Sequence, residues 1–262
     1  MLTRLLATGV SLGLAKHNGP RGKPGRNVCS SLFEQLSRTD STFRASVSLR
    51  TLARGQHLFR PLETRAHVYS ICRGALKTYR CLHDYSERIC GFHFRNELLG
   101  LDALFDRPLR RGAVALTAST VFMIPVTLLV DRIGRCEVTR AELLGRFYDE
   151  IVELEEHLSL DKLSAEGRLA ALLLWVVDKL MPEVEEPAFR LPMSQKDIGN
   201  YLGLVPETVS RVLARFEERE LLLLRRREIR VRNLQQLRVI AAGADGRPEK
   251  DGWARKFEAV GT

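Results

Sequence analysis

The strongest constraint on the fold lies between residues 191 and 232, where one glycine separates two short predicted helices. Ser194 and Asp197 have the spacing of a capping box, so the first helix is expected to begin there. Gly203 stands where the C terminus of this helix needs a left-handed residue, and Pro206 suits the first turn of the next helix. Two short helices joined by a tight glycine turn predict a helix-turn-helix unit.

The second of these helices has one apolar and one polar face. Val209, Leu213 and Phe216 follow at spacings of four and three residues, which is the period of a buried helix face. After the helix, the basic run 225–227 and the alternating residues 228–232 predict a hairpin that lies against DNA phosphates. Such a unit places its second helix in the major groove of double-stranded DNA. The polar face offers Glu207, Ser210, Arg211, Ala214, Arg215 and Glu218.

Two of these polar residues also fit plainer roles when each is taken alone. Arg211 fits a solvated surface charge, and Glu207 fits a carboxylate that complements the helix dipole. The glycine turn and the basic hairpin, taken together with them, favour nucleic-acid binding.

Upstream, residues 46–133 have the texture of short strands separated by glycines. Regularly spaced short strands with glycine turns predict an antiparallel sandwich or roll. The runs with the strongest strand character are Leu58–Phe59, Val68–Ile71, Ala75–Tyr79 and Arg88–Phe94.

A long helix is expected after this region. Thr139 and Glu142 have capping-box spacing, which predicts a helix start. A narrow apolar stripe at alternating spacings of three and four residues follows, flanked by glutamates, and such a seam suits a second copy of the same helix. Packing against the β-region of the same chain is the alternative. The stripe consists of Leu144, Phe147, Ile151, Leu154 and Leu158.

Composition narrows the class of protein. The net charge of +9 permits a polyanionic partner. No apolar run reaches the length of a bilayer span, so we expect no membrane partner and a cytoplasmic protein. The five cysteines are odd in number and contain no C-x-x-C pair, which favours reduced thiols over a disulfide framework or a zinc site. Because no catalytic motif is present, no enzymatic activity is expected.

The segment Ile198–Phe216 resembles the helix-turn-helix of the CRP/FNR superfamily of bacterial transcription regulators, and it looks most like the FNR and FixK branch. The resemblance covers roughly residues 48–235. It implies an α+β chain with a cyclic-nucleotide-binding-type β-roll, a long dimerisation helix and a winged helix-turn-helix. Segments that resemble the β-roll of that branch are Val68–Tyr79, Cys90–Phe94, Glu97–Ala103 and Met123–Pro125.

Five segments are therefore predicted along the chain. They are a flexible basic extension (1–45), a β-roll sensor domain (46–136), a dimerisation helix (137–163), a winged helix-turn-helix domain (164–240) and a flexible tail (241–262). Within the fourth segment, Ser164 is expected to cap a helix that is apolar nearly all round and is therefore expected to be buried in a core.

The resemblance also implies the DNA contacts. Glu207, Ser210 and Arg211 are predicted to read bases in an FNR-box-like palindrome of TTGAT half-sites, because the three side chains share one helix face. Contacts to the DNA backbone are predicted for Ser194, Gln195, Thr208, Arg215, Arg226 and Arg227.

The loop 83–87 looks like the activating loop of FNR relatives. Asp84 and Glu87 are predicted to contact RNA polymerase, where their carboxylates would pair with a basic patch on a sigma factor. An ordinary polar hairpin turn is the alternative.

Departures from the family bear on what is sensed. An iron–sulfur cluster needs about four thiolates, but the N-terminal region offers only Cys29, and Phe122 stands where the β-roll cysteine of FNR is expected. Cyclic-nucleotide sensors of the family use Gly-Glu and Arg-Ser pairs, and the matching positions here read Gly100-Leu101 and Arg111-Gly112. Neither an iron–sulfur cluster nor a bound cyclic nucleotide is therefore expected, and no residue is assigned as a metal ligand.

Two alternatives stay open within this fold. One is a heme- or small-ligand-sensing regulator, since His83, His93 and His157 are available as ligands. The other is a ligand-binding protein whose DNA-binding domain has lost its function.

A final hypothesis concerns Cys81 and Cys90. If the hairpin turns symmetrically about Asp84–Glu87, the two cysteines lie opposite each other at a Cα separation of about 4.5–5.5 Å, which a disulfide tolerates. An oxidant-driven bridge there would stiffen the loop that meets polymerase. A bulge of one residue would instead place the two thiols on opposite faces.

Overall fold

Short antiparallel strands build two four-stranded sheets in a first compact unit. The computed structural model describes residues 41–181, 184, 187–225 and 228–243. The first unit ends at residue 143, and the second begins at residue 144 and includes residues 88–91. The strands are β1 (Ser48–Leu52), β2 (His57–Phe59), β3 (His67–Arg73), β4 (Leu76–Cys81), β5 (Glu87–His93), β6 (Leu98–Leu99), β7 (Gly112–Ala115) and β8 (Ser119–Pro125).

The two sheets have the orders β1-β8-β3-β6 and β2-β7-β4-β5. The antiparallel roll predicted from the sequence is therefore confirmed. One apolar core draws on both sheets, because inward-facing side chains alternate along each strand. Its members include Leu58, Tyr69, Ile71, Leu76 and Val121, all at most 1% exposed.

The predicted flexible extension is wrong at its C-terminal end. Residues Ser41–Ser46 form a short helix, α1, and the side chain of Phe43 is fully buried. It packs in a second apolar cluster with Val68, Ile124 and Leu129. Burying a phenylalanine is worth about 1.5–3 kcal/mol, so this segment belongs to the folded unit. Residues 1–40 and 244–262, which hold most of the predicted extension and tail, lie outside the described residues.

Two helices follow the roll, α2 (Val126–Arg135) and the long helix α3 (Glu137–Ser159). The predicted cap at Thr139 is wrong, because the helix begins two residues earlier and Thr139 is buried inside it. The thiol of Cys136 takes the place of the cap. Hydrogen bonds from the hydroxyl and the backbone N–H of Thr139 lower the pKa of this thiol. Among the described residues, no helix is long and apolar enough to cross a membrane.

In the second unit, a 3-10 turn (Leu160–Lys162) leads to helix α4 (Ala165–Leu180). The predicted cap is confirmed, since Ser164 Oγ accepts a hydrogen bond from Gly167 N at 3.1 Å. The predicted burial of this helix is also confirmed, because Leu169, Leu173 and Val176 have no exposed surface.

The helix-turn-helix consists of α5 (Gln195–Leu202) and α6 (Pro206–Glu218). The capping box of Ser194 and Asp197 is present, and Gly203 has a φ of 68°. Helix α6 begins with Pro206 and buries Val209, Leu213 and Phe216, together with Val212. These predictions are confirmed.

A three-stranded sheet and a last helix complete this unit. Strands β10 (Leu222–Arg225) and β11 (Glu228–Val231) form the predicted hairpin. A short strand that the sequence did not reveal, β9 (Ala188–Arg190), pairs with β11. The last helix, α7 (Leu234–Ala241), is capped by Asn233.

One arginine joins three parts of this unit through backbone carbonyls. The guanidinium of Arg168 in α4 donates to the carbonyl oxygens of Asp161 at 2.9 Å and Leu163 at 3.0 Å. It also donates to the carbonyl of Leu202, the last residue of α5, at 3.1 Å. Hydrogen bonds from a charged donor contribute about 1.5–3 kcal/mol each, so this side chain fixes the turn before α4 and the end of α5 together.

The turn between α5 and α6 depends on a second glycine, Gly199. The carbonyl of Gly199 accepts hydrogen bonds from Gly203 N and, at 2.8 Å, from Leu204 N. A Cβ atom at residue 199 would lie 2.5 Å from the carbonyl oxygen of Leu204. Because this neighbour is backbone, the turn itself would have to shift.

The first prediction is that Gly199→Ala destabilises the second unit by about 1–3 kcal/mol, the usual cost of forcing an atom into a packed site. Gly134→Ala, in helix α2, is the control, because nothing lies within 4 Å of its added Cβ. Urea unfolding followed by circular dichroism measures both changes. Equal stability of the two variants would contradict the close approach.

Candidate nucleic-acid interface

Helix α6 presents its predicted base-reading residues to solvent. Glu207, Ser210 and Arg211 are all exposed, whereas the opposite face is buried. The guanidinium of Arg211 donates a hydrogen bond from Nη2 to Thr208 Oγ1 at 3.1 Å. This bond orients the guanidinium and leaves its other donors available for a base edge.

The predicted backbone contacts lie in several places. Ser194 is exposed at the start of α5, but its hydroxyl already donates to Asp197 Oδ2 at 2.6 Å and accepts from Asp197 N at 3.1 Å. Gln195 is exposed in the first turn of the same helix, and Thr208 is half-buried in α6. Arg215 is paired with Glu166 of helix α4 at 2.6 Å.

The wing is described only in part. Leu222 lies opposite Val231 and Arg225 opposite Glu228, so the hairpin is regular up to its tip. The two predicted contacts at the tip, Arg226 and Arg227, lie outside the described residues.

The predicted seam of helix α3 lies largely uncovered in the single chain. Leu144, Ile151, Leu154 and Leu158 are each more than half exposed, and Phe147 is half-buried. Apolar side chains arranged as one exposed stripe are typical of an interaction surface.

A stacked pair of rings joins the long helix to helix α5. The ring centroids of His157 and Tyr201 lie 4.3 Å apart, and the angle between the two ring planes is 30°. Burial raises the pKa of Tyr201 to about 12. Burial and, to a smaller degree, the charge of Arg88 lower the pKa of His157, while Asp161 opposes that shift. The neutral imidazole is therefore the form that stacks at neutral pH.

The geometry of the β-roll does not fit a cyclic nucleotide held by the family's two pairs. Leu101 supplies no carboxylate for a ribose hydroxyl. Gly112 lies so close to the ring of Tyr79 that a Cβ there would overlap it. A serine next to Arg111 would therefore require the ring of Tyr79 to move, and the Tyr79 hydroxyl meets His57 Nδ1 at 3.3 Å.

The histidines considered for heme are engaged in other ways. His93 meets Thr78 Oγ1 through Nε2 at 2.9 Å and Glu97 Oε2 through Nδ1 at 3.0 Å. His157 stacks on Tyr201, and His83 is exposed in the β4–β5 loop. Among the described residues, no three His, Cys, Asp or Glu side chains form a metal-binding group, and Cys29 lies outside these residues.

The symmetric hairpin expected between β4 and β5 is wrong. Leu82 N donates to Ser86 O at 2.8 Å, and Tyr85 N donates to Leu82 O at 3.0 Å. Tyr85 has a φ of 61°. This left-handed residue and the two hydrogen bonds are those of a three-residue hairpin loop that ends in a bulge. The cause is Asp84, whose Oδ1 accepts from both Ser86 N at 3.0 Å and Ser86 Oγ at 2.6 Å.

This loop removes the geometric basis for the proposed cysteine pair. Because Leu82 lies opposite Ser86, the next residue of the ladder, Cys81, lies opposite Glu87 and not opposite Cys90. Both cysteines are thiols in the structure. Cys81 is exposed, whereas Cys90 is half-buried and directs its Sγ at the carbonyl of Arg88, 3.6 Å away.

Three residues of the second unit have functional or structural roles that the sequence analysis did not predict. Gly199 allows the close turn between α5 and α6. Arg168 connects the turn before α4 to the end of α5, and Glu166 binds the side chains of Arg215 and Arg219. A glycine four residues before Gly203 is a usable sequence signal. The partners of Arg168 and Glu166 include residues 34 to 53 positions away in sequence, which no local pattern reveals.

Two family models match the chain. The cyclic nucleotide-binding domain matches residues 49–133, and the Crp-like helix-turn-helix domain matches residues 167–240.

Individual proteins show the same similarity. The chain is 35% identical over 192 residues to the fumarate and nitrate reduction regulatory protein of Vibrio cholerae. The matched segment covers 72% of this chain and 77% of that protein. It is 34% identical over 219 residues to the transcriptional activator protein Anr of Pseudomonas protegens, and this match covers 83% of this chain and 90% of that protein. The structure of FixK2 from Bradyrhizobium japonicum has a TM-score of 0.69 at 28% identity, covering 76% of this chain and 98% of that chain.

The β-roll, the long helix and the helix-turn-helix define a DNA-binding transcription regulator and not an enzyme. More narrowly, the chain belongs to the CRP/FNR family, in its FNR and FixK branch.

Proposed function

We propose that this regulator acts in the cytoplasm as a homodimer that binds a palindrome of TTGAT half-sites and contacts RNA polymerase. The observation that carries the proposal is the outer face of helix α6, where Glu207, Ser210 and Arg211 stand exposed together. A second copy of the chain would place a second α6 one turn of DNA away, at about 34 Å.

The exposed stripe of α3 supports dimerisation. Its leucines and Ile151 are more than half exposed in the single chain, and its spacing is that of a coiled-coil seam. The flanks carry Glu150, Glu153, Glu155 and Glu156. Such a narrow apolar stripe between charged flanks fits an identical helix better than a broad β-surface.

The chemistry of α6 supports the TTGAT half-site. Arg211 can donate two hydrogen bonds to guanine O6 and N7, and Glu207 can accept one from cytosine N4. Ser210 lies between them on the same face, near the expected thymine. Pro206 occupies the position where cyclic-AMP-type members of the family carry a guanine-reading arginine, which argues against their TGTGA half-site.

The β4–β5 loop supports a polymerase contact. Tyr85 at its tip is 92% exposed, and Asp84 and Glu87 flank it with exposed carboxylates. The hydrogen bonds from Ser86 lower the pKa of Asp84, so its carboxylate stays charged. A fixed acidic loop of this kind suits a basic patch on a sigma factor.

The second prediction concerns the dimer. Ile151→Glu would place two charges in one apolar seam, and we expect sedimentation to report monomers where the wild type gives dimers. Val138→Glu is the matched control, because Val138 is an exposed β-branched residue of the same helix, one position off the seam register. An unchanged Ile151→Glu dimer would contradict this interface.

The third prediction concerns base readout. Arg211→Ala is expected to weaken binding to a paired TTGAT duplex by about 1–3 kcal/mol, and to weaken binding much less when the contacted guanine is replaced. Fluorescence anisotropy on both duplexes measures the difference. Arg238→Ala, an exposed arginine of helix α7, is the control for lost charge. An equal loss on both duplexes would show that Arg211 does not read the base.

The fourth prediction concerns the loop. The double variant Asp84→Asn, Glu87→Gln removes both charges, and the new amide can still accept the hydrogen bonds from Ser86. Transcription in vitro from a promoter with the palindrome should fall, while DNA affinity stays at the wild-type value. Asp106→Asn, an exposed acid on another turn, should change neither quantity. A parallel loss of DNA binding in the double variant would refute the polymerase contact.

A further inference from the structure

One carboxylate binds Arg215 of helix α6 and Arg219, the C-terminal cap residue of that helix. Glu166 Oε1 accepts a hydrogen bond from Arg215 Nη1 at 2.6 Å, and Glu166 Oε2 accepts one from Arg219 Nη1 at 3.2 Å. The glutamate lies in the first turn of α4, where the helix dipole favours a negative charge. Each carboxylate oxygen thus holds one guanidinium.

The glutamate is much less exposed than its partners. The exposed fraction of its side chain is 17%, against 56% for Arg215 and 45% for Arg219. An ion pair with one poorly solvated member is screened less by salt than a fully exposed pair.

The glutamate shares a recess with the base-reading part of α6. A recess of about 310 Å³ is lined by Glu166 and by Thr208, Arg211 and Arg215. The negative charge therefore lies beside the surface that is expected to face DNA.

Three arginines form a single line along helix α6 and its C-terminal cap. Arg211, Arg215 and Arg219 are spaced four residues apart, so they lie on one face. Glu166 binds the second and third but not the first, which bonds to Thr208. Arg211 is therefore the arginine of this line that Glu166 does not bind, and the one carboxylate offsets one of the two charges at Arg215 and Arg219.

We propose that Glu166 is a specificity-determining residue that limits non-specific DNA binding by holding Arg215 and Arg219 away from phosphates. Non-specific binding rests almost entirely on arginine and lysine contacts to phosphates and on the counterions they release. The single carboxylate of Glu166 holds both guanidiniums and offsets one of their two positive charges, which lowers that contribution and leaves base readout by Arg211 unaffected. The inference rests on the proposed DNA binding and adds a residue outside the helix-turn-helix to it. It replaces the sequence-based expectation that Arg215 contacts the DNA backbone, because Arg215 is paired with Glu166.

A purely structural tie between α4 and α6 would behave differently. Loss of such a tie would loosen the unit and weaken binding to every duplex. Loss of the restraint proposed here would strengthen binding to duplexes that lack the half-site and would make that binding more sensitive to salt.

The test is Glu166→Gln, measured by fluorescence anisotropy on a TTGAT palindrome and on a duplex without half-sites, over a series of salt concentrations. On the second duplex, the slope of log K against log salt should steepen by about 1 for each additional phosphate that a released arginine binds. The ratio of specific to non-specific affinity should fall. Asp178→Asn, an exposed acid of the same helix, removes the same charge and should leave the slope unchanged.

A second variant isolates the arginines. In the triple variant Glu166→Gln, Arg215→Ala, Arg219→Ala, the slope on the second duplex should return to the wild-type value. An unchanged slope for Glu166→Gln, or a steeper slope that persists in the triple variant, would overturn the inference while the proposed function stands. A wild-type protein that binds neither duplex would overturn both.

Discussion

The DNA-binding unit depends on the guanidinium of Arg168. An arginine presents its donors in a rigid planar fork and stays charged at every physiological pH. Here the fork satisfies carbonyls at Asp161 and Leu163, where the chain leaves the long helix, and at Leu202, where helix α5 ends. Terminal carbonyls of this kind have no partner within their own helix. The same side chain therefore fixes the direction in which the chain enters α4 and the place where the recognition turn begins.

Much of this fold follows from local chemistry, and those parts could be predicted from the sequence. The capping box at Ser194, the left-handed Gly203 and the buried face of α6 each depend on residues within one or two helical turns. The predictions that failed concern places where two neighbouring side chains could each have made the same local hydrogen bonds, or where one side chain decides between two loop types. Cys136, not Thr139, caps the long helix, and the Asp84 carboxylate selects a bulged loop where a symmetric one was expected. Contacts between residues far apart in sequence, as in the pairing of Glu166 with Arg215 and Arg219, have no local signal at all.

The same distinction holds for function. A line of arginines on the recognition helix suggests a uniformly basic surface when it is read from the sequence. The structure shows that the three arginines differ, because Glu166 binds Arg215 and Arg219 and offsets one of their two charges, whereas Arg211 bonds to Thr208. If Glu166 restrains these two arginines as proposed, affinity for phosphates and selectivity for bases depend on different residues. In the β-roll, the ring of Tyr79 packs against Gly112, at the position where the resemblance to cyclic-nucleotide sensors leads one to expect a serine.

The central claim is that two copies of the chain, joined along the long helix, place two α6 helices on a symmetric DNA site. Selection of bound duplexes from a random-sequence library by the purified full-length protein, followed by sequencing, tests it most directly. We expect enrichment of inverted pairs of TTGAT whose centres lie about one turn of DNA apart. Enrichment of single half-sites, of pairs at variable spacing or of TGTGA would contradict it.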